Sequence, residues 1–284
     1  SIGAVPPING SHGEMDAAWA LYEAYIKVLT GQVDTALVYG FGKSSAGTLR
    51  RVLALQTDPY TVAPLVPDAV SMAGLQARLG LDSRKWTQEQ MAQVALDSFA
   101  AAPRTDSEPS ATSVAELLGR PFFADPLHRH DIAPITDGAS VIVIAADDRA
   151  REMRERPAWI TGFEHRIETP AIGARDLTAS PSTTASAVAA TGGDAGSIEV
   201  AEIYAPFTHQ QIILTEAIGL TPSTRVNPSG GALAANPMFS TGLERIGFAA
   251  RNIFDGSAQR VLAHATSGPV LQQNLVAVLE GKDQ

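Results

Sequence analysis

The sequence predicts an α/β protein built from two similar halves. Two short apolar runs have the length of strands: 34–42 (DTALVYGFG), predicted to be a buried strand, and 137–148 (DGASVIVIAADD), predicted to be buried on both faces. A helical pattern precedes the first run, and from Pro157 onward helical and strand patterns alternate again. Strands that alternate with helices indicate parallel or mixed sheets with helices on both faces.

The first predicted element is a helix over 15–31. Apolar residues recur at helical spacing between Ala18 and Leu29, and Gly31 ends the pattern. The strand 34–42 follows directly. Residues 44–132 are irregular, with helical patches separated by Ser and Pro residues, and we predict a helical cap inserted between the two apolar strands.

The second half repeats this plan. We place the boundary near Arg156, which gives an N-terminal half 1–156 and a C-terminal half 157–284. The C-terminal half has predicted strands at 158–166, 197–207, 258–266 and 272–281 and predicted helices at 182–193 and 209–220. Each half ends in an apolar strand, which is the layout of an internally duplicated α/β protein.

The composition argues against several classes of protein. The chain has 284 residues, of which 45% are hydrophobic and 18% charged, so it can bury one large core or two smaller ones. The formal net charge of −9 and the lack of Lys- or Arg-rich runs argue against binding to nucleic acid or anionic membranes. Because no apolar run approaches the roughly 20 residues of a membrane span and no signal pattern opens the sequence, we expect a cytoplasmic protein without membrane insertion.

The chain contains no cysteine. Disulfides, thiolate metal ligands and a cysteine nucleophile are therefore ruled out. His128 and His130 have a spacing found at some metal sites, but no motif places a third ligand, so we expect no metal. His165 and His209 are predicted to lie at the surface or at a helix entry.

Four segments resemble motifs of the thiolase superfamily, in the order that the family has them. The loop VNPSGGALAANP (226–237) resembles Asn-x-x-Gly-Gly-x-x-x-x-Gly-His-Pro, and VAEIYAPF (200–207) resembles Glu-x-(Asn/His)-(Glu/Asp)-Ala-Phe. GQVDTALVYGFGK (31–43) resembles the strand that follows the nucleophile helix. ADPLHRHDIAPITDGASVIVIA (124–145) resembles the stretch that closes the first half in sterol-carrier-protein thiolases. The resemblance covers nearly the whole chain.

The resemblance implies a duplicated thiolase fold with five layers, αβαβα, and with the helical cap inserted in the first half. Roughly the first strand-helix-strand-helix unit of a thiolase has no counterpart, so we expect the N-terminal unit to be incomplete. The subgroup that this sequence resembles most is the lipid-transfer-protein-like aldolases of steroid side-chain breakdown. These also lack the cysteine and have a tyrosine near the Asn/His-x-Ala-Phe segment.

The positions of the family's reactive groups carry other residues here. The nucleophile position falls on Glu14, the first residue of the Asn/His-x-Ala-Phe segment is Tyr204, and the His of Gly-His-Pro is Asn236. Thr266, Ser267 and Gly268 (266–268) stand where the family has Cys-x-Gly. The resemblance therefore implies the scaffold without thiolytic chemistry.

The chemistry left to such a site is a retro-aldol cleavage of a 3-hydroxyacyl-CoA with a bulky steroid or lipid acyl group. This reaction needs a base and an oxyanion hole but no nucleophile, and coenzyme A enters only as part of the substrate. Tyr204 is the residue that we expect to donate a hydrogen bond to the oxyanion or to return a proton to the enolate. The alternative is that Tyr204 is a structural residue, packed under a loop with its hydroxyl bonded to the backbone. Glu14 is expected to act as the base or as a proton relay. The alternative is that Glu14 only stabilises the first turn of a helix, where a carboxylate interacts favourably with the helix dipole. Asn236 holds a water or the thioester oxygen, or forms a turn before proline.

Three glycines and one histidine complete the predicted site. Gly230 and Gly231 are expected to make a tight turn with close backbone approach, beside the substrate. The N–H of Gly268 is expected to complete the oxyanion hole. His264 lies on an apolar strand that ends near the site and is expected to take part in catalysis. The alternative is that His264 is a core residue whose ring nitrogens are hydrogen-bonded inside the protein.

Other functions stay open at this point. A catalytically silent lipid or acyl-CoA carrier, or a thiolase-like subunit of a complex, would keep the fold and lose the chemistry. The polar replacements at Glu14, Tyr204 and Asn236 favour an enzyme. The resemblance further implies a homodimer that pairs through the strand 4–9 (AVPPIN) and a small OB-fold, acyl-CoA-associated partner.

Overall fold

The computed structural model describes residues 10–103 and 111–281. The helices of this part are α1 (Ala17–Leu29), α2 (Leu49–Leu55), α3 (Ala69–Asp82), α4 (Gln88–Ala101), α5 (Val114–Leu118), α6 (Asp147–Met153), α7 (Pro181–Thr191), α8 (Thr208–Ile218), α9 (Gly231–Ala234) and α10 (Thr241–Phe254). The strands are β1 (Thr35–Lys43), β2 (Phe122–Ala124), β3 (Leu127–His128), β4 (Asp137–Ala145), β5 (Trp159–Ile167), β6 (Val200–Ile203), β7 (Arg225–Val226), β8 (Arg260–Ser267) and β9 (Gln273–Glu280).

The predicted helix and strand at the start of the chain are confirmed as α1 and β1. Helix α1 begins two residues later than predicted because Asp16 is its N-cap, with a side-chain oxygen that accepts from the Ala18 N–H at 2.9 Å. The helix ends at Leu29, and Gly31 has a positive φ of 68°. Such a left-handed glycine after the last turn lets the chain leave the helix for β1.

The C-terminal half forms one mixed sheet, as predicted, with a fifth short strand, β7, in addition to the four predicted strands. The strand order is β5-β9-β8-β6-β7, with β6 parallel to both β7 and β8 and the other pairs antiparallel. Leu262, Val276 and Val278 pack on one face with α7 and α8. Val261 and Ala263 pack on the other face with α1 and α10. This alternation places neighbouring residues of a strand in different layers.

The N-terminal half contributes a two-stranded antiparallel ribbon, β1 and β4, paired from Thr35↔Ala145 to Lys43↔Asp137. Its inner face packs on α1 and α10, which therefore lie between the ribbon and the five-stranded sheet. The prediction that the run 137–148 is buried on both faces is wrong for this structure. The outer face is exposed because no element of the described ranges covers it; it carries Leu37, Tyr39, Phe41, Val141 and Val143. The open face agrees with an incomplete N-terminal unit.

The helical cap lies between β1 and β4, as predicted, and contains α2 to α5 with the short strands β2 and β3. It packs against the C-terminal half. The Ser98 hydroxyl of α4 donates to the carbonyl of Gly230 at 2.6 Å, and the Gln76 amide of α3 donates to the carbonyl of Leu177 at 2.8 Å. The cap thus borders the glycine turn that precedes α9.

Two predictions concern the surroundings of the protein. Within residues 10–103 and 111–281, no helix is long and apolar enough to cross a membrane. The strand 4–9, through which we predicted a dimer, lies outside the described residues. The homodimer and the cytoplasmic location stay predictions.

Candidate active site

Tyr204 lies one residue beyond β6 and is 5% exposed. Its backbone N–H donates to the carbonyl of His264 at 3.1 Å, which extends the β6–β8 pairing by one residue. Burial raises the pKa of the phenol above its ordinary value near 10, and the charge of Asp16 raises it further. The nearby Thr241 hydroxyl and the charge of Arg245 act in the opposite direction. The phenol therefore stays protonated near pH 7 and is a hydrogen-bond donor.

Asn236 follows α9 and is also buried. Its backbone N–H donates to the Thr136 hydroxyl at 2.9 Å. The Thr241 hydroxyl donates to Asn236 Oδ1 and to the Pro237 carbonyl, both at 3.0 Å. Because Thr241 also lies close enough to the phenol to influence its pKa, this side chain lies between the two residues that the motifs placed in the site.

The glycine turn has the close backbone approach that we predicted. Gly230 and Gly231 have positive φ values of 88° and 64°, and the Gly230 N–H donates to the Asn227 carbonyl at 2.9 Å. A Cβ on Gly230 would lie 2.7 Å from the Cβ of Ala102 in the cap. The Asn227 side chain accepts from the Ile203 N–H at 2.6 Å, which fastens the turn to β6. The positive φ angles and the close contacts explain why glycine occupies both positions.

A buried ion pair connects the same segments. Glu202 on β6 and Arg245 on α10 are 1% and 2% exposed, and Glu202 Oε2 lies 3.1 Å from Arg245 Nη1. Ser229 bonds both: its hydroxyl donates to Glu202 Oε2 at 2.6 Å and accepts from Arg245 Nη1 at 2.7 Å. Burial raises the pKa of Glu202, and the charge of Arg245 opposes this. We call Glu202, Arg245 and Ser229 the ion-pair cluster.

The carboxylate at the start of α1 that enters the protein is Asp16 and not Glu14. Glu14 is exposed, whereas Asp16 is 4% exposed. Besides capping α1, Asp16 accepts from the N–H groups of Gly242 at 2.9 Å and Leu243 at 3.0 Å, at the start of α10. Burial raises the pKa of Asp16, and the three N–H donors oppose the shift. The structure therefore does not bring Glu14 into the predicted constellation, because the N-cap role turns the residue two positions later inward.

His264 faces away from Tyr204 and Asn236. Its neighbours Ala263 and Ala265 pack in the layer of α1 and α10, so its own side chain points to the layer of α7 and α8. There His264 Nε2 lies 3.0 Å from Asn274 Oδ1, and burial lowers its pKa to about 4. The histidine is therefore neutral near pH 7 and belongs to a buried polar cluster of the sheet.

Gly268 lies in the exposed turn between β8 and β9, with a positive φ of 71°. The nearest atoms to an added Cβ belong to Gln272 of the same turn, at 2.7 Å. The Arg175 guanidinium donates to the carbonyls of Pro269 and Val270 and fixes the turn. No contact in the described chain links Gly268 to Tyr204, so its oxyanion role stays a prediction.

A cleft of about 410 Å³ opens beside Asn236. Its walls include Thr136, Ala235 and Pro237, which flank or bond Asn236, together with Glu244 of α10. Glu244 bonds Arg245 Nη2 at 3.2 Å, and burial raises its pKa. A larger groove of about 1400 Å³ runs between β4, α6 and α10 and is also lined by Glu244. Neither Tyr204 nor Asn236 lines either opening, but the smaller cleft is lined by both chain neighbours of Asn236 and by its partner Thr136, so it is the opening nearer to Asn236.

Sequence reasoning missed five residues of this arrangement: Asp16, Glu202, Thr241, Glu244 and Arg245. For Glu202, Thr241 and Arg245, the spacing along the chain could have indicated the contact. Glu202 precedes Tyr204 by two residues and shares its face of β6, and Arg245 follows Thr241 by four residues and shares its face of α10. No group of three or more residues that could hold a metal is present in the described ranges.

Comparison with known proteins supports the fold. No protein-family model matches the chain. The chain is 28% identical to the acetyl-CoA acetyltransferase of Methanothermobacter thermautotrophicus over 201 residues, which are 61% of this chain and 51% of that protein. The match thus spans about half the length of the relative.

Solved structures match over a larger part of the chain. The Ltp2-ChsH2(DUF35) aldolase has a TM-score of 0.76 at 19% identity, with 93% of this chain and 77% of that chain covered. Human mitochondrial 3-ketoacyl-CoA thiolase has a TM-score of 0.74 at 14% identity, with 94% and 77% covered. The dimeric peroxisomal thiolase of Saccharomyces cerevisiae has a TM-score of 0.71 at 15% identity, with 94% and 74% covered. The chain therefore has the thiolase fold and is similar to thiolase-like proteins of the lipid-transfer type.

Proposed function

We propose that this protein is an acyl-CoA carbon–carbon lyase that cleaves a 3-hydroxyacyl-CoA by a retro-aldol reaction. The observation that carries the proposal is the buried group of Tyr204, Thr241 and Asn236, in which Thr241 bonds Asn236 and lies close to the phenol, in a thiolase fold whose chain has no cysteine. Tyr204, a proton donor, occupies a position of the Asn/His-x-Ala-Phe motif. The sequence has no cysteine whose thiolate could form an acyl-enzyme. Thiolytic activity on 3-ketoacyl-CoA is therefore not expected.

The reaction requires two proton transfers. A base takes the proton of the 3-hydroxyl, the C2–C3 bond breaks, C3 becomes a carbonyl, and the bonding electrons form the enolate of the shorter acyl-CoA. The enolate then takes a proton at C2. Tyr204, whose raised pKa keeps its hydroxyl protonated, is the donor for the enolate. Asn236 can hydrogen-bond the thioester oxygen.

For the base we propose Glu244. Glu14 is exposed, whereas Glu244 lines the cleft beside Asn236. Its raised pKa makes the carboxylate a better proton acceptor than an ordinary glutamate, while the charge and the hydrogen bond of Arg245 favour its ionised form. After C2 is protonated, the proton held by Glu244 returns to the Tyr204 oxygen, so no net proton is gained or lost.

The substrate and the partner follow from resemblance. The aldolase with the similar fold is described together with ChsH2(DUF35), so we propose a small OB-fold, acyl-CoA-associated partner here as well. A steroid or other bulky lipid acyl group is the proposed substrate class. The similar yeast thiolase is dimeric, which supports the proposed homodimer.

Tyr204→Phe tests the assignment because it removes one hydroxyl and keeps the ring. We expect kcat for 3-hydroxyacyl-CoA cleavage to fall by about 10²-fold, with acyl-CoA binding unchanged. A suitable control is Tyr22→Phe, since Tyr22 is a half-buried tyrosine of α1 whose ring packs on Phe163. Products are measured as aldehyde or ketone and shorter acyl-CoA, over a substrate panel with and without the partner.

Two outcomes would contradict the proposal. If Tyr204→Phe cleaves as fast as the parent, Tyr204 is structural. If the parent binds acyl-CoA tightly but cleaves no member of the panel, with or without the partner, the protein is a carrier or a non-catalytic subunit.

A further inference from the structure

Two side-chain contacts join β6 to α10, one beside the other. Glu202 and Tyr204 are two residues apart and extend from the same face of the strand. Thr241 and Arg245 are four residues apart and share one face of the helix. Tyr204, with Thr241 close to its phenol, therefore lies next to the ion pair between Glu202 and Arg245.

The ion pair also holds the turn before α9. The Ser229 N–H donates to Glu202 Oε1 at 3.1 Å, in addition to the two bonds of the Ser229 hydroxyl. Ser229 belongs to the turn 227–231, which leads into the short helix α9. Asn236 follows this helix. The ion-pair cluster thus contacts each segment that carries a candidate group: β6 for Tyr204, α10 for Thr241, and the turn for Asn236.

Stability alone does not explain two charges at this depth. Arg245 and Glu202 are among the most buried charged side chains of the chain, at 2% and 1% exposure. Removing two charges from water costs about as much as their attraction returns, and uncharged residues of similar volume often replace a buried ion pair without loss. Uncharged residues could not make the same hydrogen bonds, which connect β6, α10 and the turn 227–231.

We infer that the Glu202–Arg245–Ser229 cluster is a positioning device, which fixes α10 and the turn 227–231 against β6 so that Thr241 and Asn236 keep their places beside Tyr204. The inference rests on the proposed function, in which Tyr204 is the acting group. Arg245 and Glu202 are positioning residues in this account, because they act through Tyr204 and its partners. Arg245 also bonds Glu244, so a lower kcat alone would fit a change at Glu244 as well, and the NMR signal of Tyr204 distinguishes the two.

The test removes both charges together. Arg245→Met alone would leave Glu202 buried without its counter-charge, so loss of folding would explain any loss of activity. The double variant Glu202→Gln/Arg245→Met keeps the volume and the hydrogen-bond acceptor at position 202. We expect this variant to unfold at a urea concentration close to that of the parent, with kcat lower by at least about tenfold and KM within about twofold.

The matched control is a second ion pair in the same sheet. Arg260 Nε and Glu280 Oε1 are 2.9 Å apart, at the end of β8 away from Tyr204. Glu280→Gln/Arg260→Met is expected to keep the parental kcat. Arg245→Lys, which keeps the charge and loses the planar fork, should retain part of kcat.

A second readout does not depend on activity. With ¹³Cζ-labelled tyrosine, the Tyr204 signal is assigned by its absence in Tyr204→Phe, and we expect it to shift in the Glu202→Gln/Arg245→Met variant and not in the control. An unchanged signal, or parental kcat in that variant, overturns the inference. A shifted signal in a protein whose parent cleaves no substrate supports the inference and counts against the proposed function alone.

Discussion

Gly242, the second residue of α10, is a position where one added methyl group should be costly. A Cβ there would lie 2.5 Å from Asp16 Oδ1 and 2.6 Å from the Cβ of Ala265. Neither neighbour can retreat. Asp16 is held by N–H groups from the first turns of α1 and α10, and Ala265 is part of β8 within the five-stranded sheet.

The magnitude for Gly242→Ala follows from three effects. Overpacking of a filled core costs about 1–3 kcal/mol. Weakened bonds to the buried Asp16 carboxylate cost about another 1–3 kcal/mol. Alanine is the better helix former by about 1 kcal/mol, which acts in the opposite direction. We therefore expect the free energy of unfolding to fall by about 3 kcal/mol.

Gly247→Ala, in the same helix, is the matched control. The nearest atom to a Cβ at this position is Ile142 Cδ1 at 4.0 Å, so the methyl group has room. Here helix propensity should decide, and the variant should be more stable than the parent by up to about 1 kcal/mol. Urea unfolding followed by circular dichroism measures both. A Gly242→Ala protein as stable as the parent would refute the packing argument.

Two further predictions concern pH. Burial lowers the pKa of His264 to about 4, so between pH 6.5 and 4 the unfolded chain binds a proton that the folded chain does not, and stability falls as the pH falls. His264→Gln should reduce this slope by up to about 1.4 kcal/mol per pH unit in urea unfolding, and an unchanged slope would contradict it. Burial raises the pKa of Glu244, so kcat/KM should fall on the acid side as Glu244 becomes protonated. Glu244→Gln should remove that limb and cost about 10² in rate, with Glu280→Gln as a control of similar exposure; a retained limb would reject Glu244 as base.

The sequence could predict those parts of the fold that have strong local signals. Helix α1 and strands β1 and β4 lie within the segments that their apolar patterns predicted. These patterns, and the residues that end them, depend only on a few neighbouring positions in the sequence. The glycine turn, Tyr204 and Asn236 could be located because their motifs keep their register along the chain. The open face of the ribbon could not be predicted from its own residues, since a strand's composition does not say whether a helix covers it.

The remaining site residues depend on contacts between distant positions. A count along the chain placed the reactive position on Glu14, but which carboxylate turns inward depends on the cap of α1 and on α10. Arg245 has the sequence signature of a solvent-exposed helix residue, and its burial depends on Glu202, 43 positions earlier. His209 does begin a helix, as predicted, yet it is fully buried next to Gln76 of the cap.

The double cap made by Asp16 also bears on how the chain is synthesised. Its bonds to Gly242 and Leu243 join positions that are 226 and 227 residues apart. At a synthesis rate of roughly 5–20 residues per second, roughly 10 to 45 s pass between the emergence of α1 and that of α10. During that time the apolar side of α1 lacks the helix against which it finally packs. Helix α1 must therefore be kept from other apolar surfaces until most of the C-terminal half has been made.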